Sequence, residues 1–168
     1  MFDIASIDEK RWFLFLDEEG QNLVRLTYQL LMRERRLKSS YRDYGFVVFP
    51  MAKAFEGFLK KFFYQTQMIS HEQYEHRNFR IGRSLNPDLS MRNKDEAWVF
   101  DDVERLCSTQ LARRFWNTWL KSRNHLFHYF PDMRYDISLT EAEGLITEMA
   151  GTMYEALGCI LKDKNKEE

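Results

Sequence analysis

The sequence predicts an all-α protein, and three observations carry the prediction. Apolar residues recur at helical spacing in four long segments. Turn formers are scarce, with only seven Gly and three Pro in 168 residues, roughly half the share of an average soluble protein. Large rings are abundant, with fourteen Phe, eight Tyr and four Trp available to fill a core. A chain of this length fits one core, so the expected architecture is a four-helix bundle. It carries a short N-terminal extension and a polar loop between the second and third main helices.

Residues 1–19 read as an acidic lead-in, in which Trp12, Phe13, Leu14, Phe15 and Leu16 form a compact cluster that packs onto the body. The helical domain spans 20–162. Its first helix runs from about Asn22 to Lys38, with Leu23, Leu26, Leu30 and Leu37 at helical spacing and Arg33, Arg35, Arg36 and Lys38 where a C-terminus favours cations. The second runs from about Val47 to Met68, with Pro50 in its first turn or at a kink. Met51, Phe55, Phe58, Leu59 and Phe62 form its apolar arc, and Glu56 falls at the edge of that arc. Residues 70–95 show no period and read as a long, positively leaning loop.

Asp101 and Asp102 open a third helix, about Asp102 to Phe127, which Pro131 and Asp132 end. Ser138 and Glu141 have capping-box spacing for a fourth, Leu139 to about Lys162. Gly144, Gly151 and Gly158 recur every seven residues along it, and either admit a neighbouring helix or recur by coincidence. The tail 163–168 is expected to be disordered.

Composition excludes several function classes. With 25 Lys plus Arg against 26 Asp plus Glu, the total charge makes no case for nucleic acid or an acidic membrane. Residues 25–42 nevertheless hold six Lys plus Arg against one acid, so a balanced total can hide a basic band. No stretch free of charged residues passes ten, about half of what crosses a bilayer. The start MFDIASIDEK has no basic region followed by an apolar one, so no secretory signal is expected and the localisation is cytoplasmic. Cys107 and Cys159 read as free, buried thiols. His71 and His76 sit in a polar loop and read as solvated side chains; no metal or cofactor is expected.

Titratable chemistry concentrates in Lys121-Ser-Arg-Asn-His-Leu-Phe-His-Tyr-Phe-Pro131. Arg123 offers a planar fork of donors suited to a phosphodiester. A histidine such as His128 titrates near neutrality and can take a proton from a ribose 2′-OH or give one to a leaving 5′-oxygen. Asn124 lies four before His128, so on a continuing helix it shares its face and can orient the ring. Arg123 projects about 140° away from His128, so one side chain reaches round or the helix ends between them. The plainer alternative is that Arg123 and His128 complement the helix dipole, and that Glu56 is salt-bridged to Lys60 one turn on.

The stretch Arg123-Asn-His-Leu-Phe-His128 resembles the Arg-x4-His signature of the HEPN (higher eukaryotes and prokaryotes nucleotide-binding) ribonucleases. Phe49-Pro-Met-Ala-Lys-Ala-Phe-Glu-Gly-Phe-Leu-Lys60, about 67 residues upstream, is similar to the partner helix of the RNase LS-type (RnlA/LsoA) toxins. The resemblance covers about 44–160 and implies a HEPN-type bundle acting as a metal-independent endoribonuclease, a toxin or phage-defence effector. It implies Glu56, Arg123 and His128 as the catalytic set with Asn124 beside them, and a homodimer whose shared cleft at the dimer interface takes an RNA substrate. An antitoxin or other inhibitory protein is the further partner implied. His125 occupies a variable position and is left out of the set. Tyr129 stands one residue short of the tyrosine that some HEPN toxins have modified, and the extra N-terminal domains of such toxins have no counterpart in the roughly 40 residues before the match. The alternative is a non-catalytic HEPN module that binds RNA, a nucleotide or a partner protein. A purely structural helical protein is a third reading.

Overall fold

A computed structural model describes residues 4–128, 131 and 135–164. Every regular element among them is helical. A 3₁₀ turn, Ile4–Glu9, leads into α1, Arg11–Phe15. Trp12 and Phe13 of α1 are buried in the same core as the later helices, and Lys61 donates to the Phe15 carbonyl at 2.7 Å.

Helix α2, Glu18–Leu37, starts four residues earlier than the apolar spacing suggests. Asp17 caps it by accepting from the Gly20 N–H at 2.7 Å, and Glu18 and Glu19 complement the dipole there. Lys38, at φ 50°, ends it in the left-handed conformation. Helix α3, Gly45–Gln65, continues through Pro50. Its Phe55, Phe58, Phe62 and Phe63 are fully buried, each contributing about 1.5–3 kcal/mol of burial, and Phe62 meets Phe115 edge-on at 5.5 Å. α3 is the central element, packed along α2 and α9.

The polar connection is more ordered than its composition suggests. It holds α4, His71–Glu75, with a Ser70/Gln73 capping box, then α5, Ile81–Ser84, and a 3₁₀ turn, Met91–Asn93. Ile81 and Leu85 are buried, Trp98 donates its indole N–H to the Asn86 carbonyl at 2.9 Å, and Arg83 bridges to Asp95. Helices this short carry no readable period.

The expected third helix is divided. α6, Phe100–Leu106, stops at Cys107, and Ser108 turns extended (φ −175°, ψ 157°) to cap α7, Thr109–Trp119, accepting from the Leu111 N–H at 3.1 Å. A π-helical turn, Leu120–Asn124, and a last short turn, α8, His125–Phe127, complete it. Helix α9, Leu139–Lys164, begins at the expected capping box: Ser138 accepts from the Glu141 N–H at 3.2 Å, and Glu141 accepts from the Ser138 N–H at 2.8 Å. Residues 163 and 164 of the expected tail are helical; the rest of it, 165–168, lies outside the described residues.

The reading of the two cysteines as free thiols needs correcting, and of the two readings of the glycine line the coincidental one stands. Cys107 and Cys159 are joined by a disulfide, with Cα atoms 5.6 Å apart. Pairing is set by the approach of the α6 end to α9, which spacing in the sequence does not reveal. The glycine line admits no helix: a Cβ at Gly144 or Gly158 would meet open space, and one at Gly151 would meet the Arg114 side chain. No described helix is long and apolar enough to cross a membrane.

Candidate active site

The segment after α7 is shaped by a local rearrangement. In the π turn the His125 N–H reaches back five residues to the Leu120 carbonyl. The Ser122 hydroxyl, fully buried, donates to the Thr118 carbonyl at 2.6 Å, a bond that occupies a main-chain acceptor and favours a bend. Single π turns inside α-helices are rare and recur at functional sites. Here the turn holds Arg123 and Asn124.

Trp119 and Arg123, four apart, reach one carboxylate. The Trp119 indole N–H donates to Glu56 Oε1 at 3.0 Å and Arg123 Nε donates to Glu56 Oε2 at 3.3 Å. Glu56 and Arg123 are each about 30% exposed, so the pair lies between core and solvent. The Arg123 guanidinium also stands 5.6 Å from the centre of the Phe127 ring. Glu56 is therefore bridged to Arg123 and not to Lys60. Lys60 turns away, donating to the His76 carbonyl at 3.2 Å and lying over the Tyr74 and Phe79 rings. That burial lowers its pKa below an ordinary lysine, with Glu75 opposing the shift.

The structure thus brings together Glu56 and Arg123, with Asn124 following in the same turn. His128 is placed differently. The helix ends at Phe127, and His128 is extended (φ −108°, ψ 137°) and exposed. Of the two geometries open to Arg123 and His128, the helix ends between them, so Asn124 and His128 are not neighbours on one helical face. His125 stacks on Tyr135 with ring centres 4.8 Å apart. Tyr129 lies outside the described residues.

Two further residues shape the site. Trp119, read from sequence only as part of the buried side, fixes the carboxylate; its position one turn before Arg123 was the available signal. Gly82 of α5 lies against the Trp119 indole so closely that a Cβ there would overlap the ring. The loop between α3 and α6 is in this way a wall of the site. The 180 Å³ hollow between α2 and α3, lined by Asp17, Lys53 and Lys61 among others, lies elsewhere. No three His, Cys, Asp or Glu side chains cluster as metal ligands would among the described residues.

Fold and site together define an all-helical protein with a Trp-clamped Glu–Arg pair beside a π turn. No protein family, no curated protein and no solved structure matches the chain.

Proposed function

We propose that the chain is a metal-independent endoribonuclease of HEPN type, a toxin or phage-defence effector held in check by a partner protein. The observation that supports it most is the meeting of Glu56 with Arg123, from segments 67 residues apart, at a π turn that a single short helical turn separates from His128. Glu56 takes the Nε edge of Arg123, and the terminal nitrogens form the fork that grips a phosphodiester. His128 takes the proton of the ribose 2′-OH; O2′ attacks the adjacent phosphorus, and the bond from phosphorus to O5′ breaks. The 5′-oxygen leaves with a proton, giving a 2′,3′-cyclic phosphate and a 5′-hydroxyl. Arg123 offsets the charge that builds on the phosphoryl oxygens. In a homodimer the second copy brings its own His128 to donate the proton that the leaving oxygen needs.

The test compares wild type, His128→Ala and Arg123→Ala on single-stranded RNA in EDTA. Loss of a proton-transfer group costs about 10²–10⁴-fold and loss of a charge-stabilising donor about 10²–10³-fold, so each variant should fall at least 100-fold, and the wild-type ends should be cyclic phosphates. Equal background cleavage by all three sinks the reading. The second reading, a non-catalytic module, is favoured by the extended placement of His128 beyond the helix end. It predicts RNA binding that survives His128→Ala and fails with Arg123→Ala.

A further inference from the structure

Phe49 is an apolar ring left in solvent beside the candidate site. It is 44% exposed, Phe46 and Tyr64 being the other exposed rings of α3, and it touches the Phe127 ring edge-to-face at 5.1 Å and 88°. Single exposed rings are ordinary on protein surfaces, so its exposure alone decides nothing. Its register does. Phe49 and Glu56 are seven apart and lie within about 20° on one face of α3, about 10 Å along the axis. Arg123 and Phe127 are four apart on the opposing segment. Glu56 meets Arg123 and Phe49 meets Phe127, so the two segments run antiparallel and form one strip. A guanidinium stands at one end of the strip and the half-exposed Phe49 ring at the other, with the Arg123 guanidinium beside the Phe127 ring. His128 follows directly after Phe127.

We infer that Phe49, backed by Phe127, stacks an unpaired nucleobase next to the phosphate held by Arg123. The inference rests on the ribonuclease reading and adds a substrate-positioning residue to it. A cation and an aromatic face side by side match the two parts of a nucleotide, the anionic phosphate and the flat base, and stacking on such a ring tolerates any base. In duplex RNA the bases are stacked on each other and out of reach.

The test uses the full chain with His128→Ala, which leaves RNA uncut, and a short single-stranded oligoribonucleotide. Binding is read by fluorescence anisotropy at low salt, with intact RNA and with RNA carrying one abasic ribose. Phe49→Ala and Phe49→Leu should weaken binding roughly tenfold and make it insensitive to the abasic site, while Phe49→Trp restores both affinity and sensitivity. Leu keeps the apolar contact with Phe127 without an aromatic face, so its loss separates stacking from folding. Binding by Phe49→Leu equal to that of Phe49→Trp overturns the stacking proposal. So does a change of oligomeric state in Phe49→Ala with no abasic effect, which would give the ring to a second copy of this chain. The nuclease reading fails separately, as a wild-type chain with intact His128 that leaves the RNA whole. Wild type that neither cuts nor binds overturns both.

Discussion

At the scale of single residues, the candidate site depends on groups that stand behind Glu56 and Arg123. Gly82 lets the Trp119 indole lie flat on α5, and that indole gives Glu56 one of its two hydrogen bonds. Gly82→Ala drives a methyl into the ring. The expected cost is about 1–3 kcal/mol, typical of overpacking, read as a lower thermal midpoint together with a changed Trp emission. An unchanged midpoint and spectrum would show that Trp119 does not sit there. Tyr28 gives a contrasting case. Its hydroxyl is buried, makes no hydrogen bond among the described residues, and is pushed up to about 12 by that burial, with Glu143 adding to the shift. Tyr28→Phe removes an unsatisfied polar atom and should leave stability equal or raised by up to about 1 kcal/mol in urea unfolding. Arg123 stood out in the sequence because titratable groups concentrate around it, whereas Glu56 entered through the resemblance, since an acid at the edge of an apolar arc suits an ordinary salt bridge equally well. Trp119 and Gly82 were not legible, since an aromatic on an apolar face and a Gly in an aperiodic loop carry no mark of the residue they support.

At the scale of elements, α3 and α9 were legible because each buries an apolar face of three or more turns, whereas at α2 the spacing also took in Leu26 and Leu37, which are exposed, and the buried face is Val24, Tyr28 and Leu31. The starts depended on caps. Ser138 and Glu141 mark the first turn of α9, whereas the Asp17 cap at α2 was hidden inside a run of acids. The division of the third helix was missed because Cys107 and Ser108 interrupt the chain without interrupting its apolar spacing. Ser108→Ala removes the α7 cap and should cost about 0.5–2 kcal/mol, measured by chemical denaturation. Two element ends also make stability depend on pH. Hydrogen bonds from Ser39 and then Arg33 hold the Glu34 carboxyl below the usual carboxylate range at the end of α2. Those from the Ser138 hydroxyl and N–H do the same for Glu141. A group whose folded pKa is depressed adds stability above its unfolded pKa and loses it as pH falls through the folded value. The thermal midpoint should therefore drop on acidification below about pH 4, and more steeply in wild type than in the double variant Glu34→Gln, Glu141→Gln. Parallel curves would remove both carboxylates from the account.

At the scale of the whole molecule, charge and connectivity both differ from what the totals suggest. Three of the six cations of the basic band 25–42 pair with acids distant in sequence, Arg25 with Asp8, Arg35 with Glu143 and Arg42 with Asp136, and Arg33 pairs with its neighbour Glu34. Beside the motif Arg114 pairs with Glu155 and Lys121 with Glu148. Bulk attraction for a polyanion is accordingly small, so that under the ribonuclease proposal any discrimination falls to a few placed groups. Connectivity is governed by the Cys107–Cys159 bridge, which closes a loop of 52 residues containing α7, the π turn, α8 and most of α9. Arg123, Asn124 and His128 all lie within that loop, whereas Glu56 lies outside it on α3. The bridge shrinks the unfolded ensemble more than the folded state, so breaking it should cost roughly 2–4 kcal/mol. Urea unfolding in dithiothreitol should show a lower midpoint than in its absence, with a slope that rises as the denatured chain expands. The double variant Cys107→Ser, Cys159→Ser should match the reduced protein and ignore the reductant. Equal midpoints with and without dithiothreitol, or two thiols that titrate in the untreated native chain, would show that the two helices are held by packing alone.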